Sequence, residues 1–442
     1  MPPPLRVLIS GAGIAGPCLA YWLTRLPSPL RCEITIVERH PRLRNSGQQI
    51  DLRGQGIDAM RRMGIEPAVR ARLVDEPGMQ LVNARGERQA YFEANKTGKG
   101  PQGFTAEWEI MRGDLCDVLY QATKGLPGVK YVFGCSVESF TQKGGGGGGG
   151  GGKVHAKFSD GKEEEYDLLV GADGIGSRIR RQMFTDGRPD PLKPLGMSLA
   201  FYTIPPQEGD DDFATSCHLP GRRLITTRRD RLDCLRVYLM MTGENPELKR
   251  ALKHGTIAEQ KEAWVNLFKH DMDRSWQMPR FLDGLLNSEM ANDFYTQELA
   301  QVKLDNWSNG NVVLLGDAAF CPSPVTAMGT SVAIVGAYVL AGEIARACLK
   351  GAQTGQANPA ENIPEALAAY EKTLRPFILD VQNVPATWIS KILMPRTSWG
   401  ISCLHWVAWL AIKLRVDKIL TWLLPSDDTG TWKVPDYSEL QA

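Results

Sequence analysis

The first forty residues constrain the fold more than any other stretch. "LRVLISGAGIAGPCLAYWLTRL" reads as a short apolar strand, a glycine turn and a helix, and "CEITIVERH" reads as a second strand that closes on Glu38. Together they form a βαβ unit with GxGxxG at Gly11, Gly13 and Gly16 and with Ala15 inside the turn. Gly11 allows the tight bend, Gly13 lets backbone approach a pyrophosphate, and Gly16 permits close packing of helix on strand. The helix that follows offers unpaired N–H groups and a partial positive charge to phosphates.

Glu38 stands where an acid can hydrogen-bond a ribose hydroxyl, with Arg39 beside it. Its charge would repel a 2′-phosphate, so the position favours a free ribose, as in FAD or NAD, over NADP. A lone glycine turn is weak evidence. Here the strand before it, the helix after it and the acid at the end of the second strand are all present, and dinucleotide binding outweighs an ordinary turn.

At 442 residues the chain exceeds the usual size of one domain, so two domains sharing an interface are expected. Lys and Arg number 51 against 50 Asp and Glu, which leaves no basic field for a nucleic-acid partner. Nine scattered cysteines, with no CxxC pair, fit a reducing compartment rather than a disulfide framework or structural zinc. The opening "MPPPLRVLIS" runs straight into a strand and lacks the features of a secretory signal, so a cytoplasmic location is expected.

Further along, "EIMRGDLCDVLYQAT" predicts a polar turn and a helix with Arg112 near its start. "VKYVFGCSVESFTQK" and "KVHAKFSDGKEEEYDLLVGADGIGSRIRR" predict successive strands ending at Asp173 and Gly174. The glycine run at residues 144–152 reads as a flexible hairpin tip without function. From about 188 to 300 the chain alternates like antiparallel strands, and "PELKRALKHGTIAEQKEAWVNLFKH" reads as helix. With residues 75–108 this region forms an expected second sheet layer, and a small-molecule cleft is expected between the two layers.

"NVVLLGDAAFCPSPVTAMGTSVAIVGAYVLAGEIARACLK" gives an apolar strand, a loop holding Gly316 and Asp317, and a helix from about Gly329. Cys321 has no local base to make it a nucleophile, and Asp317 alone cannot hold a metal. The pattern reads instead as a second cofactor turn: Asp317 can bond a polyol or ribose, and the helix N-terminus can face an electron-rich ring.

Taken in order, GxGxxG with Glu38, the Arg112 turn, "GADGIGSRIRR" and "GDAAFCPSP" resemble the motifs of the group A flavoprotein monooxygenases, the class of p-hydroxybenzoate hydroxylase and the tetracycline-inactivating hydroxylases. The resemblance spans roughly residues 5–380, and "GQQIDLRGQGIDAMRRMGI" is similar to the family's segment leading into the flavin ring pocket. It implies an α/β fold: a Rossmann-like FAD-binding domain over 1–74, 109–187 and 301–380, an inserted antiparallel-sheet substrate domain over 75–108 and 188–300, and a C-terminal helical region over 381–442.

By that resemblance Glu38 would hold the adenosine ribose, Arg112 the pyrophosphate region, and Asp317 the ribityl or ribose chain. Asp173 would shape the cofactor channel, and Pro324 would lie near the flavin ring. Met328 and Gly329 would present backbone N–H groups to the ring, with Asp51 and Arg53 in the pocket segment. Two departures stand out: Phe320 where the family commonly has His, and Ala327 where it has the first glycine of G-x-G, which implies a tighter loop. Neither a Trp-x-Trp-x-Ile-Pro segment nor a lysine soon after the glycine turn is present, which disfavours the related halogenases.

The implied chemistry is reduction of FAD by NADPH or NADH, oxygen addition to give a flavin hydroperoxide, and transfer of its distal oxygen to an electron-rich small molecule, by hydroxylation or epoxidation. A dehydrogenation, an oxidation or a redox-neutral cyclisation on the same cofactor, and a non-catalytic nucleotide-binding protein, remain open alternatives. No general base announces itself; Tyr202, His218 and Tyr238 are candidates only by strand placement, and none is singled out. At the C-terminus, "TSWGISCLHWVAWLAI" is free of formal charge, with Trp399, Trp406, Trp409 and Trp422 in and around it. Its sixteen residues fall short of the roughly 20 that span a bilayer, leaving a packing helix or a peripheral membrane foot as the two readings.

Overall fold

The computed structural model describes residues 3–44, 47–95, 107–143, 152–184, 190–271, 276–353, 358–414 and 432–440. Two large sheets organise them. The first has six strands in the order Ser308–Asn309, Val312–Leu314, Leu168–Gly171, Leu5–Ser10, Cys32–Glu38, Val129–Phe133. All pairs but the outermost, Ser308–Asn309 with Val312–Leu314, are parallel. Its strands read as near-continuous apolar runs because helices cover them: Val7, Leu8, Ile9, Leu168, Leu169 and Val170 are fully buried. The helices Ala15–Leu23 and Gly329–Gln353 pack against one another on this sheet. Gly329–Gln353 is long and apolar enough to cross a membrane, but it is almost wholly buried in the core.

A hairpin layer, Val137–Lys143, Lys153–Phe158 and Glu163–Tyr166, flanks the first sheet. Most of the predicted glycine tip, 144–151, lies outside the described residues. The second large sheet has seven strands in the order Tyr295–Val302, Leu192–Ile204, Cys234–Thr242, Arg223–Arg231, Ala214–Leu219, Gly78–Val82, Arg88–Glu93. It is antiparallel as expected except between Ala214–Leu219 and Gly78–Val82, which run parallel because the second strand enters from a distant part of the chain.

Period-two alternation gives this sheet two different faces. Leu235, Val237, Leu239 and Met241 point into a second core with Trp264, Phe268, Phe281 and Leu285 from two covering helices. Phe201, Thr226, Tyr238 and Met240 lie on the other face, where the register pairs Phe201 and Thr226 with Tyr238. A short ribbon, Gln49–Asp51 with Glu109–Met111, connects the two layers.

The predicted single helix over residues 246–270 is two helices, Pro246–His254 and Ile257–Phe268. The Gly255 N–H closes the first on the Ala251 carbonyl, and Thr256 opens the second with a capping box to Glu259. Helical spacing spans the break, which is why periodicity alone merged them. At the C-terminus the predicted helical region contains Ala386–Leu393 and Ser398–Lys413, but 432–440 is irregular apart from one turn, Ser438–Leu440. There Trp432 stacks on Phe377 and Tyr437 buries itself over Gly342, donating its hydroxyl to Glu343. Trp422 lies outside the described residues.

Candidate active site

The two glycine turns meet. A Cβ on Gly316 would lie 3.2 Å from the Cβ of Ala15, so the strand end at Leu314 and the start of the first helix share one surface. Gly11 sits at φ +117°, where a Cβ would come within 2.4 Å of the Ala172 carbonyl oxygen, and a Cβ on Gly16 would come within 2.1 Å of the Gly11 oxygen. No side chain fits either place, so backbone lines the turn. Gly13 is different: its Cβ would face only Arg112 Nη2, at 3.4 Å.

Glu38 stands at the rim of that turn. Its carboxylate accepts N–H bonds from Ala12 (3.1 Å) and His40 (3.0 Å), which fixes its direction and leaves lone pairs for a hydroxyl. Arg39, His40, Arg44, Arg178, Asp293 and Tyr295 line a neighbouring cavity of about 690 Å³, just beyond the carboxyl end of Cys32–Glu38. Open α/β sheets bind ligands at such strand ends. Arg112 opens the helix Arg112–Gln121, and its Nη1 is buried without a hydrogen-bond partner among the described residues. Burial, with the Arg112 charge close by, pulls the Arg44 pKa below its ordinary value. A buried guanidinium nitrogen left unpaired beside a second cation, facing a glycine turn, fits a pyrophosphate.

Asp317 begins a one-turn helix, Asp317–Phe320, where a loop was expected. It is half-buried, and desolvation raises its pKa although the Cys321 thiol, Arg112 and Arg180 oppose the shift. The Cys321 thiol is buried and raised far above its ordinary value, so it is no nucleophile. Phe320 packs on Trp307 with ring centroids 4.8 Å apart, which makes this departure from the family a core aromatic.

Ala327 adopts φ +52°, the left-handed region that the family's glycine reaches without strain. The loop closes as a consequence. The Met328 N–H, expected to face the ring, donates to Thr326 Oγ1 at 3.3 Å. Gly329 opens the long helix as predicted, and Pro324 is exposed beside it.

Asp173 spends its carboxylate on its own turn, accepting from Ser177 Oγ (2.5 Å) and the N–H groups of Arg178 (2.7 Å) and Ile179 (3.3 Å). It shapes the wall behind Gly11, where a Cβ would approach its Cα within 3.1 Å. Asp51 and Arg53 pair with each other at 2.8 Å. Backbone atoms of Arg53 are clamped by Ser331, whose hydroxyl accepts from the Arg53 N–H (2.9 Å) and donates to its carbonyl (3.0 Å). That bond ties the pocket segment to the first turn of the helix Gly329–Gln353.

Several site-building residues were not read from the sequence. Arg180, fully buried, donates to Asp190 (3.0 Å), the Ile175 carbonyl (2.6 Å) and the Ala318 carbonyl (3.1 Å), joining the Asp173 turn to the Asp317 turn. Where the ribbon meets the second sheet, Arg228 lies 3.4 Å from Glu109 and 3.7 Å from Glu76. Gln49 bonds Glu109 through its side chain, and its N–H approaches the Tyr238 hydroxyl at 3.4 Å. Burial raises Glu76, which Arg228 only partly offsets, and pushes Tyr238 up to about 12. Burial opposes the Arg228 charge, yet Glu109 and Glu76 outweigh it and the group ends above its ordinary pKa.

Of the three base candidates, Tyr238 reaches this interface. Tyr202 is buried on the Phe281 carbonyl (2.9 Å), and His218 pairs with His405 (3.2 Å) under the C-terminal helix.

Comparison with known proteins agrees with this arrangement. The family described as FAD binding domain matches residues 4–360. The chain belongs to this family. It is 42% identical over 436 residues to the flavin-dependent monooxygenase eupH of Phoma sp, covering 98% of each chain. It is 39% identical to the FAD-dependent monooxygenase asL4 of Sarocladium schorii, covering 99% of each. Among solved structures, tetracycline destructase Tet(55) superposes with a TM-score of 0.76 at 27% identity, over 99% of this chain and 100% of that one. The chain is therefore an FAD-dependent monooxygenase with a Rossmann-like cofactor layer, as the motif resemblance implied, and FAD is its cofactor.

Proposed function

We propose that this FAD enzyme consumes NADPH or NADH together with molecular oxygen to hydroxylate or epoxidise an electron-rich, aromatic or polycyclic natural-product-like molecule. One oxygen atom enters the substrate, the other leaves as water, and the nicotinamide supplies the two electrons. FAD, when bound, carries those electrons to oxygen, chemistry that no side chain can perform.

In this reading Gly11, Gly13, Ala15, Gly16 and Glu38 hold the adenosine end, and Arg39 and Arg112 the phosphates. Asp173 shapes the channel, Gly316 and Asp317 meet the ribityl chain, and Asp51, Arg53, Pro324, Met328 and Gly329 flank the ring. The cofactor part comprises 1–74, 109–187 and 301–380, with 75–108 and 188–300 as the substrate part and 381–442 as a C-terminal addition.

The observation that carries the substrate class is the face of the second sheet that meets the ribbon. Leu199 and Met240 supply half-buried apolar surface there, Phe201 is packed edge-on behind the half-buried Tyr238, and Arg228 adds a polar group beside it. With Tyr238 raised to about 12, its hydroxyl stays protonated at neutral pH and can donate a hydrogen bond. The Arg228 cation can favour the ionised form of a phenol or enol, which makes the ring more electron-rich. Apolar walls around these groups exclude water.

The test is an anaerobic titration of the purified, flavin-loaded protein with NADPH and with NADH, followed by turnover under labelled oxygen with aromatic and polyketide candidates. Bleaching of the flavin spectrum and one labelled atom in the product are the expected results. Turnover that leaves the product unlabelled would replace the proposal with an oxidase or cyclase.

A further inference from the structure

We propose that the helices Ala386–Leu393 and Ser398–Lys413 form a foot that rests on an anionic lipid bilayer, with their tryptophans in the headgroup layer. One face of Ser398–Lys413 is docked on the enzyme. Ala408 is packed with Leu81 and Ala90, Ile412 adds to that cluster, and His405 meets His218. The docked face fixes the helix against the body of the protein, so its other side must face outward.

That outward side is apolar. Trp399 is 80% exposed, Trp406 57% and Trp409 44%, with Val407 and Leu414 beside them. The preceding helix adds Trp388, 58% exposed, and Ile392. Isolated exposed apolar residues are ordinary, but four tryptophans gathered on two consecutive helices are not. Indole combines a large apolar body with an N–H donor, which suits the boundary between acyl chains and headgroups.

Charge selects the occupant. Residues 381–414 contain Lys391, Arg396 and Lys413 and no Asp or Glu, in a chain otherwise balanced at 51 cations to 50 acids. A cationic, tryptophan-rich face complements anionic phospholipid headgroups. A second copy of the chain suits it poorly, because a symmetric dimer through this face would bring the same cations together. The foot does not span: sixteen residues at about 1.5 Å each reach roughly 24 Å, short of the hydrocarbon thickness. Ala386–Leu393 also adjoins the Pro324–Thr326 turn of the second cradle, which places the lipid surface close to the cleft.

The test uses the full-length, FAD-loaded protein in co-sedimentation with phosphatidylcholine vesicles, with and without phosphatidylserine, at low and high salt. Binding at least about tenfold tighter to the anionic vesicles is expected, weakened by salt and accompanied by a blue shift of tryptophan emission. The double variant Trp399→Ala, Trp406→Ala should lose about tenfold or more of that binding while keeping its flavin content and Tm, because both side chains are mostly exposed. The pair Lys391→Glu, Arg396→Glu should abolish the preference for anionic lipid. Absence of binding to either vesicle would overturn the proposal. So would light scattering that finds a dimer which the tryptophan substitutions convert to monomer, since that would assign the face to a second copy.

Discussion

The turn at Gly11–Gly16 and the turn at Gly316–Gly329 each end a parallel strand and lead toward a buried helix, yet they rely on glycine for different reasons. In the first, contact decides: a Cβ at Gly11 or Gly16 would strike a backbone oxygen at 2.4 or 2.1 Å. In the second, conformation weighs more than contact: Gly316 takes φ +64° and its Cβ would press on Ala15 Cβ only at 3.2 Å, Ala327 takes φ +52° with a side chain in place, and a Cβ on Gly329 would meet only Pro322 Cγ at 4.0 Å. A contact of that kind allows no substitution, whereas a strained dihedral only costs energy. The first turn should therefore fail abruptly under mutation and the second by degrees.

The largest effect is expected at Gly16. Gly16→Ala must either open the turn or part the helix from the strand, and no FAD should copurify, read as the ratio of flavin to protein absorbance. Gly13→Ala is the contrast, because its Cβ faces the far end of the flexible Arg112 side chain, which can move. That variant should keep FAD with an affinity reduced by about tenfold or less, roughly 1.4 kcal/mol. A Gly16→Ala protein that carries stoichiometric FAD would remove the basis for treating the turns differently.

Next is Arg180, which holds the second turn to the Asp173 loop. Arg180→Met would leave Asp190 and two carbonyls without their donor, at a cost of about 3 kcal/mol in stability, seen as a lower Tm in both apo and holo protein. If only the holo form weakens, the residue serves the cofactor and not the frame.

Asp317 gives a smaller effect with opposite signs in apo and holo protein. Its folded pKa is raised by desolvation, so in the apo protein its contribution is present below the ordinary value of 3.8 and is lost as pH rises through the raised value. As the proposed acceptor for a ribityl hydroxyl it acts when ionised, so FAD affinity should fall as pH drops through that same value. Asp317→Asn should flatten both profiles, each by about 1 kcal/mol. Apo melts and FAD titrations across acid to neutral pH would show it, and parallel slopes in the two would contradict the assignment.

The contrast between the turns also explains what the sequence allowed to be read. Gly16 and Glu38 act through Gly11, Ala12 and His40, neighbours within one βαβ unit, so their spacing carries their meaning, and Gly11 and Gly13 were legible through the same spacing although their contacts, Ala172 and Arg112, lie far along the chain. Asp317 and Gly329 were legible for the same reason, as a strand end and a helix start. Arg180 reaches Ala318 across 138 positions, and Ser331 reaches Arg53 across 278; no local pattern encodes such pairs. The meeting of Arg228 with Glu109, 119 positions apart, depends on how the sheet settles on the ribbon. Gly255 carries no periodicity signal as a stop because helical spacing continues through it, although a glycine at a helix end is chemically ordinary. The departure at Ala327 was visible in the sequence, whereas the Met328 N–H bond to Thr326 that accompanies it was not.

That departure supplies the finest test. Ala327 holds a left-handed conformation that costs a residue with a Cβ about 1–2 kcal/mol. Replacing it with glycine relieves this strain but frees the unfolded chain, which returns roughly 0.4–1 kcal/mol of the gain. The net effect of Ala327→Gly should be a stabilisation between zero and about 1.6 kcal/mol, a shift of a few degrees at most in the Tm of a chain this long. The Met328 N–H is the more sensitive witness. If Ala327 keeps the loop closed on Thr326, glycine should let the loop open and release that N–H, so its hydrogen exchange in the apo protein should speed up while exchange in the Gly11–Gly16 turn stays as it was. Unchanged exchange at Met328 would mean that Pro322 and Pro324, and not the missing glycine, set the loop, and the second turn would then be as rigid as the first by another route.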